Sequence, residues 1–194
     1  DVVKGYLARF YFWTRQWDNA IYYAEEVIKS HPLVDREGYK AMMENGYSLK
    51  GNMLIKSELI SSSSSEQEGA GTYEPLNYRP VSKRFLDTFS NTEKANDIRY
   101  EMNFSKKRIA TKFIFSGMRS AEMLLIRAES YYHKGSEDLA LADINTLRGN
   151  RILNYEPLTL SSLPEPIPGT DYITQDVTGV PLTKLMALIL TERR

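Results

Sequence analysis

The chain has 194 residues, enough for one domain to bury about 70% of the surface of its unfolded form without covalent staples. Its 25 lysines and arginines balance 25 aspartates and glutamates, which argues against any broad attraction to nucleic acid or anionic lipid. With no cysteine, disulfides, zinc–thiolate sites and thiol catalysis are excluded together.

Residues 2–13 and 16–30 read as a first helical hairpin. Gly5, Ala8, Phe12 and Arg15 fall on one face, and Leu7, Phe10, Tyr11 and Trp13 widen the apolar surface enough to predict burial on two sides. Trp13 and Trp17 flank the turn, where packing is the expected use of an indole. A short helix follows around residues 37–45, and residues 53–55 form an apolar strand candidate. Residues 61–80, SSSSSEQEGAGTYEPLNYRP, have the serine, glycine and proline content of a surface loop. Its two aromatics, Tyr73 and Tyr78, form with Asn77 and Arg79 the candidate ligand-binding set. Rings stack on the apolar faces of sugars while a neighbouring amide and guanidinium hydrogen-bond the hydroxyls. The same composition also suits a linker that carries no ligand.

Residues 81–104 predict a short helix carrying Phe85, Leu86 and Phe89, with the charged stretch up to Asp97 as solvated surface. A second strand candidate lies at 112–116. The basic triplet Lys106-Lys107-Arg108 has no stacking platform beside it and reads as solvent-facing, without a nucleic-acid role. Residues 117–151 then give two helices and a tight turn. Ala121, Leu124, Leu125, Ala128, Tyr131 and Tyr132 recur at helical spacing. Gly135 is suited to the left-handed conformation that ends a helix, Lys134 to the negative end of its dipole, and Ser136 to the N-cap of the next. The buried row of that next helix is expected at Leu139, Ala140, Ile144 and Leu147. The prolines at 157, 164, 166 and 168 exclude a long helix or a central strand from 152–180, where Tyr155 and Tyr172 are expected to pack. Leu182, Leu185, Met186, Ile189 and Leu190 form a last amphipathic face. A helix already under way at residue 2 and a pattern still running at Arg194 lead to the expectation that this is an excerpt of a longer chain.

The two hairpins are related. Ala8, Tyr11, Ala20 and Ala24 have the spacing of Ala128, Tyr131, Ala140 and Ile144, which fits a tetratricopeptide-like pattern of stacked helix pairs. The run RSAEMLLIRAESYYHKGSEDLALADINTLRGNR, with ILTERR at 189–194 and Asp97-Ile98-Arg99 upstream, resembles the SusD/RagB family of surface nutrient-binding lipoproteins. Arg119, Ala121, Glu122, Leu124, Leu125, Ala128, Glu129, Gly135, Ile144, Asn145 and Arg148 carry the likeness.

The resemblance implies a mainly α fold: a tetratricopeptide-like helical-repeat scaffold with irregular loops and minor β. It implies one domain over 1–194, with helical hairpins at 2–30 and 118–149, a loop-rich insert at 31–117, and a connection and final helix at 152–194. It further implies a non-catalytic glycan-binding protein of the outer membrane and cell surface. Such a protein delivers nutrient to a SusC-like TonB-dependent transporter and is held by a lipid anchor outside this chain. The alternatives are a tetratricopeptide-type peptide-binding adaptor and a glycoside hydrolase. No nucleophile elbow, zinc-binding HExxH or phosphate loop is present, and only His31 and His133 offer imidazoles. His133 is expected in a helix-end role. Glu122 and Glu129 lie two turns apart on one helix, about 10 Å by helical rise, approaching the separation of an inverting glycosidase pair. Beside Arg119 and Arg127 they are expected to form structural ion pairs. Accordingly no catalytic residue, metal or cofactor is expected.

Overall fold

The computed structural model describes residues 1–44, 53–56, 81–104 and 117–193. Within them the elements are α1 (Val2–Trp13), α2 (Trp17–Ser30), α3 (Arg36–Glu44), β1 (Met53–Lys56), α4 (Lys83–Leu86), α5 (Asn91–Asn96), α6 (Ile98–Asn103), β2 (Gly117–Arg119), α7 (Ser120–His133), α8 (Glu137–Gly149) and α9 (Lys184–Glu192). The fold is mainly helical. Four helices form a row in which α1 packs on α2, α2 on α7 and α7 on α8, and α9 closes against α7 and α8.

Small residues set the spacing of this row. Ala8, Ala20, Ala24, Ala128 and Ala140 are fully buried, allowing close approach of neighbouring helices. One core holds Ala8, Phe12, Ala24, Val27, Met123 and Ile126, and the next holds Leu125, Ala128, Ile144, Leu147, Leu185, Leu188 and Ile189.

The repeat read from the spacing extends to the turns. Gln16 N–H donates to the Tyr11 carbonyl at 2.8 Å, and Ser136 N–H donates to the Tyr131 carbonyl at 2.9 Å. Arg15 and Gly135 occupy corresponding positions with φ of 59° and 75°. Arg15, placed by sequence on the buried face of the first helix, is instead the exposed left-handed residue of the turn. Ser136 precedes α8 without a side-chain capping bond. Leu139, expected in the buried row of α8, is 50% exposed. Leu141 replaces it, in the cluster shared with α9.

The N-terminal lead into α7 also differs from the expected start of the hairpin at 118. Residues 117–119 are extended and pair antiparallel with β1, with Met53 opposite Arg119 and Lys56 opposite Gly117. This buries Met118 beneath α1, where the absence of a side chain at Gly5 makes room: a Cβ there would lie 2.1 Å from Met118 Sδ. The strand candidate at 112–116 lies outside the described residues.

A smaller layer forms beside the row. Tyr39 of α3 and Ile98 of α6 are buried together, and Phe85, Phe89, Tyr100 and Phe104 make a cluster of edge-on rings. The proline-rich connection holds a 3₁₀ turn at Leu160–Ser162 and an isolated bridge between Gln175 and Pro181. Asn145 fastens it to α8. Its side-chain oxygen accepts from Tyr155 Oη at 2.6 Å and from Leu158 N–H at 2.9 Å. No helix among the described residues is long and apolar enough to cross a membrane.

Candidate functional site

Four of the charged residues in the stretches that carry the family resemblance lie away from the surface. Asp97, Arg99, Arg148 and Glu192 converge in a buried ion cluster, joined by Glu93. Arg99 donates to Asp97 at 2.6 Å and to Glu192 at 2.7 Å. Arg148 donates to Glu93 at 3.0 Å and to the other oxygen of Glu192. Glu192 therefore bridges two guanidinium groups while its own side chain has 0% exposure. Burial pulls both arginines down, but the nearby carboxylates outweigh it and hold each above its ordinary value: Glu192 and Asp97 for Arg99, Glu192 and Glu93 for Arg148. The sequence reading of a solvated surface up to Asp97 is overturned here. Glu93 and Asp97 are 7% and 1% exposed, because their guanidinium partners arrive from α8 and α6 and are both held by Glu192 of α9.

One local signal pointed to Glu93. Ser90 and Glu93 form a capping box, in which Glu93 Oε2 accepts from Ser90 N–H at 2.7 Å while its other oxygen serves Arg148. In the cluster each guanidinium is paired with two carboxylates, and every member is largely withdrawn from solvent. The cluster locks α5, α6, α8 and α9 together and offers no reacting group.

The two carboxylates considered for hydrolysis are also tied into the scaffold. Glu122 receives two bonds of 2.6 Å from Arg9, joining α1 to α7. Glu129 accepts from Arg193 at 2.6 Å and lies 3.9 Å from His133. The expected ion pairs form, with partners from distant helices instead of Arg119 and Arg127. Arg127 instead holds Asp143 of α8, at 2.9 and 2.6 Å.

An open groove of about 320 Å³ lies where the turns of the two hairpins meet, lined by Arg15, Gln16, Trp17, Asp18, Asn19 and Lys134. The repeat places it: the N-terminus of α2 lies against the C-terminus of α7. Trp17 stacks on His133 with ring centroids 4.4 Å apart and 15° between planes, and Lys134 pairs with Asp18. The side chains of Gln16 and Asn19 hydrogen-bond each other at 3.2 Å at the rim. An indole, two amides and opposed charges can serve the hydroxyls and apolar face of a sugar, although His133 already covers one face of the ring.

Trp17 is packed as expected, but Trp13 is 79% exposed and points away from both cores. Tyr73, Asn77, Tyr78 and Arg79 lie outside the described residues, as does the basic triplet at 106–108. Among the described residues no group of three His, Cys, Asp or Glu side chains is placed to hold a metal ion.

Neither protein-family models nor curated protein sequences match the chain. Among solved structures it is similar to the crystal structure of a SusD-like carbohydrate binding protein from Bacteroides vulgatus ATCC 8482, with a TM-score of 0.63 and 21% identity. The match covers 100% of this chain and 41% of that one, so this chain spans less than half the length of the protein it resembles. The row of helical hairpins closed by α9 is therefore a SusD-like fold.

Proposed function

We propose that the chain belongs to a SusD-like, non-catalytic glycan-binding protein of the cell surface, which hands oligosaccharide to a SusC-like TonB-dependent transporter. The observation that carries this reading is the likeness of the whole chain to a protein described as SusD-like and carbohydrate binding. The family string fits the same reading, since its charged residues build the scaffold and leave recognition to irregular segments. In this reading the helical row is a rigid support. Sugar is held by ring stacking and hydrogen bonds, with no bond broken.

The ligand-contacting residues proposed are Tyr73, Asn77, Tyr78 and Arg79, two aromatics with polar neighbours in a stretch otherwise poor in apolar residues. The test is native gel retardation through a panel of polysaccharides, with a parallel assay for reducing ends. Retardation without release of reducing ends is expected, with the double variant Tyr73→Ala/Tyr78→Ala losing at least tenfold in affinity. Asp18→Ala/Asn19→Ala at the turn groove should leave retardation unchanged. Release of reducing ends would replace the reading with hydrolysis. Retardation lost in the groove variant alone would move the ligand site to the hairpin turns.

A further inference from the structure

Arg99, Arg148 and Arg151 are all withdrawn from solvent, but only two of them have a counter-charge. Arg99 and Arg148 are each paired with two carboxylates. Arg151 is 1% exposed, and among the described residues no carboxylate pairs with it. Its Nη1 donates to the Val34 carbonyl at 3.1 Å, its guanidinium carbon lies 4.4 Å from the centre of the Tyr39 ring, and its Nη2 meets no hydrogen-bond acceptor among the described residues. A guanidinium enclosed in this way is costly, because it gives up hydration without a carboxylate in exchange and leaves a donor unused. One carbonyl and a ring face offset only part of that cost.

The cover over Arg151 comes from one short stretch, α3 and the residues leading into it, and that stretch is lightly held. Of residues 36–41 only Tyr39 is buried. It packs with Ile98 in a cluster of two buried residues, with Val34 and Met102 at the edge. Polar contacts supply the rest. Arg36 donates to the Asn96 carbonyl at 2.6 Å and to the Arg151 carbonyl at 3.1 Å and pairs with Glu101, and Asn103 donates to the Tyr39 hydroxyl at 3.2 Å. In α7, by comparison, Met123, Leu124, Leu125, Ile126 and Ala128 are all buried. Elements with few buried apolar contacts open locally at lower free energy than the core, and α3 combines that weakness with an uncompensated charge beneath it.

We propose that α3 is a strap that opens over Arg151 while the helical row stays folded. Closed, it lays the Tyr39 ring and the Val34 carbonyl on the guanidinium and shuts water out. Open, it gives the charge and the unused Nη2 donors to solvent. The apolar loss on opening is small, since one large side chain leaves its cluster, and rehydration of the guanidinium works against it. Arg36 is the latch, because it ties the strap to the ends of α5 and α8 through the Asn96 and Arg151 carbonyls. This inference is independent of the glycan reading.

Hydrogen exchange on the 194-residue chain reads the opening of the strap, and phenylglyoxal labelling located by mass spectrometry reads the exposure of each arginine. The amides of Tyr39, Lys40 and Ala41 are expected to exchange at least 100-fold faster than the core amides of α7 and α8. Arg151 is expected to be labelled at least tenfold faster than Arg99 and Arg148, although it is the least exposed of the three. Arg36→Ala removes the latch and should raise both rates at least fivefold, with the protection of α7 and α8 unchanged. Arg151→Met removes the charge that closing buries and should slow α3 exchange at least threefold. Exchange of α3 at the rate of α7 and α8, or labelling of Arg151 no faster than of Arg148, would mean that α3 opens only when the whole protein unfolds, and overturns the proposal. So does an Arg36→Ala variant that leaves both rates as they are. Exchange that is unchanged or faster in Arg151→Met also overturns it, since the guanidinium would then be a neutral filler or a clamp on Tyr39.

Discussion

The two ends of the helical row are held by different chemistry. Around α1, α2 and α7 the contacts are apolar and fine-grained, with Ala8, Ala20 and Ala24 fully buried beside Phe12, Val27 and Met123. Where α8 and α9 meet α5 and α6, the contact includes five buried charges, Glu93, Asp97, Arg99, Arg148 and Glu192. Loss of volume from apolar packing costs stability that grows with the cavity left behind. A buried ion cluster behaves otherwise: removing one member leaves its partners charged and without compensation. The helical row therefore tolerates graded change at its N-terminal end and very little at the charged corner.

The largest expected effect is at Glu192, which serves both arginines. Glu192→Ala should cost about 3–5 kcal/mol, the penalty of uncompensated buried charge, read from the urea midpoint at unchanged slope. A cost below about 1 kcal/mol would mean that solvent reaches the cluster and that it does not lock the corner.

Apolar contacts along the row are expected to respond less. Ala128→Leu forces three more carbons into a fully buried contact within the α7–α8 core, at about 1–3 kcal/mol by overpacking. Ala142→Leu, on the exposed side of α8, should change stability by less than about 0.5 kcal/mol. Similar costs at the two positions would show that the row does not depend on close helix approach.

The hairpin turns sharpen the comparison further, because they share one backbone shape with different residues. Gly135 adopts a φ of 75° with nothing near its missing side chain, whereas Arg15 holds a φ of 59° with a full side chain. Left-handed backbone costs a residue with a Cβ about 1–2 kcal/mol. Gly135→Ala should therefore destabilise by about 1 kcal/mol and Arg15→Gly should stabilise by up to about that amount. Opposite shifts in thermal midpoint are the result to look for. Two shifts of the same sign would mean that the turns are not equivalent.

These contrasts also explain how much could be read from sequence. The helices, the Gly135 turn and the repeat follow from local periodicity, and the structure has Val2–Trp13 and Trp17–Ser30 where spacing placed them. The burial of Glu93 was not legible, because a charge is buried only when its partner arrives and Arg148 is far along the chain; Asp97 pairs with nearby Arg99, but the carboxylate that draws Arg99 into the buried cluster, Glu192, is also distant. Trp13 failed for the converse reason: helical spacing defines a face but does not say whether another helix covers it. Leu139 and Leu141 were exchanged because α8 is contacted by both α7 and α9, which widens its buried arc beyond one row. The candidate ligand set rested on composition and resemblance. Its residues, Tyr73 to Arg79, lie outside the described part of the chain.

The smallest expected effect separates a cation that is compensated from one that is not. Arg151 is 1% exposed, with its guanidinium 4.4 Å over the Tyr39 ring and one nitrogen donating to the Val34 carbonyl at 3.1 Å. Among the described residues no carboxylate forms an ion pair with it. Burial, and then the charges of Arg99 and Arg119, pull its pKa down to about 10. Carrying this charge at neutral pH is a cost, so Arg151→Met should change stability by less than about 1 kcal/mol, in contrast to the loss at Glu192. The pH dependence gives the sign. With its folded pKa lowered to about 10, below the ordinary arginine value, the unfolded chain binds more protons between those two values. Wild-type stability should therefore rise relative to the methionine variant as pH increases from about 9 to about 11, as paired urea titrations would show. A difference that stays flat over that range would mean that Arg151 remains charged in the folded protein, and the contrast with Arg99 and Arg148 would disappear.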